Sequence, residues 1–155
     1  MKLSQQIVIK KSNSNYKELE HMCHMSKNLY NTGLYTIKQQ YEKDKHYLNY
    51  FELERKLRDE NNIDYRNLPT DISQQTLKLL DKNYKSFFKS LKSANVDHKV
   101  TPPKYLPKDG LFVFVCTRKD FSKKNFLRGF ITPAKSNVKI KYSGGIEYDK
   151  IQQIR

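Results

Sequence analysis

Residues 71–92, DISQQTLKLLDKNYKSFFKSLK, decide how this chain is read. Ile72, Thr76, Leu79, Leu80, Asn83, Phe87, Phe88 and Leu91 recur every three or four positions, the spacing that gathers side chains on one face of an α-helix. Leu68-Pro69-Thr70-Asp71 stand just before them, a proline with capping residues that together start a helix. Lys78, Lys82, Lys85, Lys89 and Lys92 follow the same intervals on other faces. One side of this helix is therefore predicted to pack while another meets phosphate.

Upstream, Asn49 precedes Glu52 by the offset at which an Asn cap and a returning carboxylate satisfy each other's backbone donors, and a helix carrying Leu53 and Leu57 is predicted to about residue 60. Before it, from about residue 15 to 44, Leu19, Met22, Cys23, Ser26, Leu29, Tyr30, Leu34, Ile37 and Tyr41 mark a longer helix, with Gly33 inside it to allow close packing. Residues 6–10, QIVIK, are β-branched and predicted to form a strand, ended by a polar loop. Beyond Ser93 the helical period is lost. Thr101-Pro102-Pro103 and Pro107-Lys108-Asp109-Gly110 break the chain, strands are predicted at 111–118, 126–132 and 138–142, and another begins within 148–155. No internal repeat is present. Pairing of the first strand with the late ones would make the helices an insertion in a small β domain.

The 155 residues suffice for one domain, or one small domain inserted into another. Thirty Lys and Arg against sixteen Asp and Glu leave +14, a balance suited to a polyanion and poorly suited to an acidic small-molecule substrate. Nucleic acid is the first expectation and an anionic membrane the second. Eleven Tyr and eight Phe supply more apolar bulk than a disordered basic tail carries. Cys23 and Cys116 are the only cysteines, too few for a disulfide framework, which points to a reducing compartment. The N-terminal apolar stretch is too short and polar for a signal peptide, and no run approaches the ~20 apolar residues of a membrane span. A soluble cytoplasmic protein without a membrane partner is expected.

The charge is segmental. Between residues 118 and 141, Arg118, Lys119, Lys123, Lys124, Arg128, Lys135, Lys139 and Lys141 face one acid, Asp120, and are interleaved with Phe121, Phe126 and Phe130. Such a pattern suits a surface that tracks a backbone and stacks bases; the alternative is a solvated face over a phenylalanine core. His21, Cys23 and His24 have no second Cys/His group at ligand spacing, so no metal is expected. Cys116 alternates with Val113 and Val115 and reads as a buried apolar group. Gly144-Gly145 lacks the spacing of a phosphate loop and reads as a turn. Asp44, Glu52, Glu54, Asp59, Glu60 and Asp64 fall on helix surfaces and turns, without the convergence that metal-dependent phosphodiester cleavage requires. Binding without catalysis, and without a cofactor, is the expectation.

In order along the chain, Lys27-Asn28-Leu29-Tyr30-Asn31, Leu68-Pro69, Gln74-Gln75, Tyr84-Lys85-Ser86-Phe87-Phe88-Lys89-Ser90 and Pro102-Pro103-Lys104-Tyr105 resemble the N-terminal part of the TnpB/OrfB-type insertion-sequence proteins, relatives of the type V CRISPR effectors. The resemblance implies an α+β fold: a small, oligonucleotide-binding-like wedge β-barrel of residues 1–11 and 95–155, with a helical recognition domain of residues 12–94 inserted. It also implies guide RNA and target DNA as partners, with sequence read mainly by base pairing and the protein reading a short duplex motif. Tyr50, Gln74 and Thr117 match the motif-reading positions; Lys78, Lys82, Lys85, Lys89, Lys104, Arg118, Lys119, Lys123, Lys124 and Arg128 are the candidate backbone contacts. The family continues into a RuvC-like nuclease, which this chain does not reach. The expectation is a module that lacks the nuclease domain and does not cut DNA alone, with a missing nuclease half as a further partner. The alternative is a protein-interaction module, or a decayed transposase fragment with only generic nucleic-acid affinity.

Overall fold

Asn49 caps its helix as its spacing predicts. Its side chain accepts from the N–H groups of Phe51 and Glu52, and the Glu52 carboxylate accepts from the Asn49 N–H at 3.0 Å, opening α2 (Tyr50–Asp59). The computed structural model describes residues 4–93 and 100–155. The long helix upstream is α1 (Tyr16–Asp44), and the lysine-bearing one is α4 (Thr70–Lys92). Between α2 and α4 lies α3 (Ile63–Asn67), a little over one turn held by the Asn62 side chain, too short to leave a periodic signal.

The four helices bury Leu29, Leu34, Ile37, Leu53, Leu57, Tyr65, Leu68, Ile72, Leu77 and Leu80 in one core. Gly33 lets α4 side chains come up against α1: a Cβ there would sit 2.9 Å from a Leu80 methyl and 3.1 Å from a Leu77 methyl. The close approach expected of this glycine is present, and it sets the rotation of α4. Ser73, Thr76, Leu77, Leu80 and Tyr84 face inward, whereas Leu79 is only half-buried and Asn83 is exposed. The buried stripe is thus turned by a fraction of a helical turn from the predicted one. Leu91 lies in the last turn of α4, where residues 89–93 are all exposed because the helix outruns its partners.

The predicted β-barrel is not there. Among the described residues the only strands are four of two residues each, in two antiparallel pairs. β1 (Cys116–Thr117) pairs with β4 (Gln153–Ile154), and β2 (Phe130–Ile131) with β3 (Ile140–Lys141). Residues 6–10 form no strand and are mostly exposed, with Val8 at 75%. β-Branched composition makes a strand only where a free edge is offered, and the late segments pair with one another instead. The predicted strand at 126–132 is interrupted because the Ser122 hydroxyl accepts from the Asn125 N–H and starts α5 (Lys123–Leu127). The α+β barrel with a helical insertion is therefore corrected to a mostly helical chain with an irregular C-terminal lobe. The expected boundary between residues 94 and 95, and residues 1–3 of the expected wedge, lie outside the described residues.

The predicted strand at 111–118 has a different fate. Its first half belongs to a run, 106–113, that turns at 107–110, where the Gly110 N–H donates to the Pro107 carbonyl at 3.0 Å, and that is laid along α1 and held there by α1 side chains. The Asn31 amide donates to the Leu106 carbonyl at 3.0 Å and accepts from the Leu106 N–H at 2.9 Å. One turn earlier the buried Lys27 ammonium donates to the Lys108 carbonyl at 2.6 Å. Another turn earlier His24 Nδ1 lies 3.2 Å from the Gly110 carbonyl, and the Phe112 N–H donates to the Cys23 carbonyl at 3.2 Å. Ser26 donates to the Val113 carbonyl at 2.9 Å, and the Phe112 ring packs 4.6 Å from that of Tyr30. At the start of α1 the Asn15 amide bonds both backbone groups of Lys139, and Glu18 accepts from the Asn137 N–H. The lobe core is aromatic, with Phe121 and Phe126 buried and Phe126 stacked on Tyr142 at 4.5 Å. Among the described residues no helix is long and apolar enough to cross a membrane.

Candidate nucleic-acid interface

α4 runs about 1.5 Å per residue, so its five lysines span about 21 Å from Lys78 to Lys92. At about 100° per residue they share one narrow stripe, opposite the face that α4 turns to α1. All five are exposed. Lys85 is neutralised by the buried Asp81 at 2.6 Å, while Lys78, Lys82, Lys89 and Lys92 have no acidic partner among the described residues.

Asp81 also accepts from the Tyr47 hydroxyl at 3.0 Å and from the Tyr50 N–H at 3.1 Å, so it fixes the entry of α2 against α4. That contact places the Tyr50 ring 5.2 Å from the Lys78 ammonium. Partial burial, followed by the carboxylates of Glu54 and Asp71, pushes the Tyr50 phenol up, so it stays a neutral donor.

At its N-terminal end the stripe opens into a groove of about 470 Å³. Asp71, Gln74, Gln75 and Lys78 of α4 form one wall; Thr117, Arg118 and Lys119 of β1 and the turn after it form the other, and Ile151 and Gln152 close the end. Residues about forty positions apart in sequence, Gln74 and Lys78 on one side and Thr117, Arg118 and Lys119 on the other, thus meet around one opening, with Tyr50 beside Lys78. Three cations and one acid line it. Two glutamine amides beside these cations can offer donors and acceptors to a base edge while the cations neutralise phosphate.

Not every candidate is free to serve. The Thr117 hydroxyl donates to Asp120 Oδ2 at 2.8 Å, and the Thr117 N–H donates to the same oxygen at 2.6 Å. Asp120 is buried, so the Thr117 donor is committed to the turn and only its methyl and lone pairs reach the groove. Arg118 donates to the Asp149 carbonyl at 2.8 Å, pairs with the Asp149 carboxylate at 3.6 Å and lies 6.0 Å from the Tyr148 ring, so its charge is partly met within the chain. Lys119 is exposed and has no ion pair among the described residues. Lys123 approaches Tyr148 at 5.3 Å, which joins it to the Arg118 cluster. Lys124 and Arg128 are exposed on and just after α5, and Lys104 lies outside the groove lining, just before the run laid along α1.

The interleaved phenylalanines are not a stacking surface. Phe121 and Phe126 are 4% and 2% exposed, because both pack with Tyr148 in the lobe core, and only Phe130 reaches solvent. Gln75, Gln152 and Tyr148 are the contributors that spacing did not reveal. Gln75 lies next to a residue already chosen, while Gln152 and Tyr148 come to the site only through the β1–β4 pairing. Among the described residues no three His, Cys, Asp or Glu side chains gather as a metal-holding group. Glu54 accepts from Tyr65 and Arg58, and Asp81 and Asp120 are engaged as above. Cys116 is buried, and burial, with Asp120 and Cys23 nearby, pushes its thiol up to about 12. Comparison with protein-family models, with curated proteins and with solved structures gives no match.

Proposed function

We propose that this chain is a nucleic-acid-binding module that grips a duplex backbone along the α4 stripe and presents Gln74 and Gln75 to the groove edge beside it. The observation that carries this reading is the continuity of Lys78, Lys82, Lys89 and Lys92, exposed and unpaired among the described residues, with the groove formed by Gln74, Gln75, Arg118 and Lys119. A net charge of +14 supplies long-range attraction, and the stripe gives that attraction a direction.

The resemblance to the TnpB/OrfB-type proteins gives the proposal its finer form: guide RNA and target DNA as ligands, with this part of the molecule recognising and not cutting. The wedge barrel forms no part of the proposal; helices and the groove carry it. In this form Gln74 addresses a base edge, Tyr50 and Lys78 hold phosphate, and Thr117 contributes a methyl surface.

The test is binding of the purified chain to a DNA duplex, a structured RNA and an RNA–DNA heteroduplex over a salt series, beside an equally basic unrelated protein. Affinity is expected to fall with salt at a log–log slope of about −0.9 per phosphate contact, and Lys82→Glu with Lys89→Glu to reduce that slope by about 2. Gln74→Ala is expected to cost a preferred duplex sequence about 1–3 kcal/mol and a random one little. Salt-insensitive affinity, or charge-reversal variants that bind as well as the parent, would overturn the reading.

A further inference from the structure

The outer face of α1 carries a second cationic surface of different composition. Tyr35, Lys38, Tyr41 and Lys45 succeed one another at steps of three, three and four, over about 15 Å at the C-terminal end of α1; Tyr35 and Lys38 point away from Gly33 and α4, and Tyr41, on the row of Leu34 and Ile37, is left exposed near the helix end. Tyr35 is 56% exposed and Tyr41 51%, and neither side chain serves the core. The clamp formed by Asn31 and Leu106 delivers a third aromatic ring to the same face: Tyr105, 47% exposed, with the Lys38 ammonium 4.3 Å from its centroid. Its phenol is pushed up by partial burial and then by Tyr35 and Glu42, which places those two groups beside it. Lys45 in turn lies 5.4 Å from the Tyr41 ring, and Lys104 adjoins Tyr105 in the chain. Glu42 is the acid on this face, outnumbered by Lys38, Lys45 and Lys104.

The contrast with α4 identifies the ligand. The α4 helix sets its lysines among Ser86, Ser90 and Gln75, and its own rings, Phe87 and Phe88, are half-buried; rings reach the stripe only at its N-terminal end, where Tyr50 lies beside Lys78 with Phe51 next to it. The α1 face alternates free rings with cations, which is what an unpaired strand requires: bases stack on the tyrosines while ammonium groups take the phosphates. We propose that Tyr35, Tyr41 and Tyr105, with Lys38, Lys45 and Lys104, form a stacking platform for single-stranded nucleic acid, on the opposite side of the α1–α4 pair from the duplex stripe. The proposal rests on the nucleic-acid reading above and adds a division of labour within it.

The test uses the full chain with labelled oligo-dT and oligo-rU of about 12 nucleotides and a DNA duplex of about 12 base pairs, in one moderate salt. Tyr35→Ala with Tyr105→Ala is expected to weaken binding of at least one single strand by about tenfold per tyrosine while changing duplex binding less than twofold. Tyr35→Phe with Tyr105→Phe is expected to retain single-strand affinity, because stacking needs the ring and not the hydroxyl. A 2-aminopurine base in either oligonucleotide should be quenched by the parent and by the phenylalanine variant but not by the alanine variant. If dT and rU behave alike the platform takes the base face alone; a preference for rU adds contact with the 2′-hydroxyl, and one for dT contact with the thymine methyl. Unchanged single-strand binding in the alanine variant, or an equal loss on the duplex, would overturn the platform and leave the duplex reading standing. Failure of the parent chain to bind any of the three probes would overturn both.

Discussion

The helical region and the C-terminal lobe reach their structures by opposite routes. From residue 16 to 92 the backbone satisfies itself through four helices, and side chains are left to pack or to face solvent. From 106 to 155 the backbone is mostly irregular, its strands are two residues long, and many of its polar groups are met by side chains from elsewhere: Asn31, Lys27 and Ser26 for one run, Asn15 and Glu18 for another. A helix needs only its own sequence and one partner face. The lobe needs α1 already in place, and its shape is a property of the pair.

The largest effects test that dependence. Leu77→Ala empties part of the α1–α4 contact and is expected to cost about 3–5 kcal/mol, lowering the urea midpoints of helical circular dichroism and of the near-ultraviolet aromatic signal together. Phe126→Ala is expected to remove a similar amount from the lobe while the helical signal survives at low urea. Loss of both signals together in Phe126→Ala would erase the distinction between the regions. Asn31→Ala should cost about 2 kcal/mol, since two buried-side contacts to Leu106 go at once, and hydrogen exchange should quicken at the Leu106 amide before any α4 amide.

Alkali separates the regions without mutation. Cys116 in the lobe is raised from 9.0 to about 12, and Tyr84 in the bundle from 10.0 to about 12 by burial, with Tyr30 and Tyr105 adding to it. Both groups stay protonated in the fold after their unfolded counterparts ionise, so stability is full below about pH 9 and falls as pH rises from there towards 12. The thiol contributes first and the phenol about one unit later; Cys116→Ala is expected to delay the onset in urea midpoints measured from pH 7 to 11. A decline setting in on the acid side of pH 8 would contradict this ordering. The smallest change is Lys45→Gly. Lys45 ends α1 in the left-handed region at φ +62°, and glycine there should gain about 0.5–1 kcal/mol without altering the lobe.

Legibility followed the same divide. α1, α2 and α4 could be read because their signals are local: a capping pair at Asn49 and Glu52, an apolar period, a proline before Thr70. The rotation of α4 could not, since Leu77 and Leu79 are equally apolar and only the approach of Gly33 chooses between them. The barrel expectation failed because short β-branched runs report local preference and not partnership, so QIVIK could not announce that no strand would pair with it. At the interface, the lysines were visible as helical spacing, and Gln74 entered only through the family resemblance. Their meeting with Arg118 and Lys119 depends on β1 and the turn after it packing against α4, a contact no window of sequence contains. Phe121 and Phe126 misled for a related reason: alternation with lysines describes one segment, and burial depends on what lies across from it.

The run from Leu106 to Val113 settles along α1 by contacts spaced one helical turn apart, at Asn31, Lys27 and His24. In a chain made from its N-terminus, α1 leaves the ribosome some sixty residues before this run does. The helix can form and pack against α4 while the lobe is still unmade, so the long-range closure that slows β-rich folds is here guided by a template that is already rigid. Folding of the second half is then closer to docking a peptide on a finished surface than to assembling a sheet, and its rate should follow how well α1 is built.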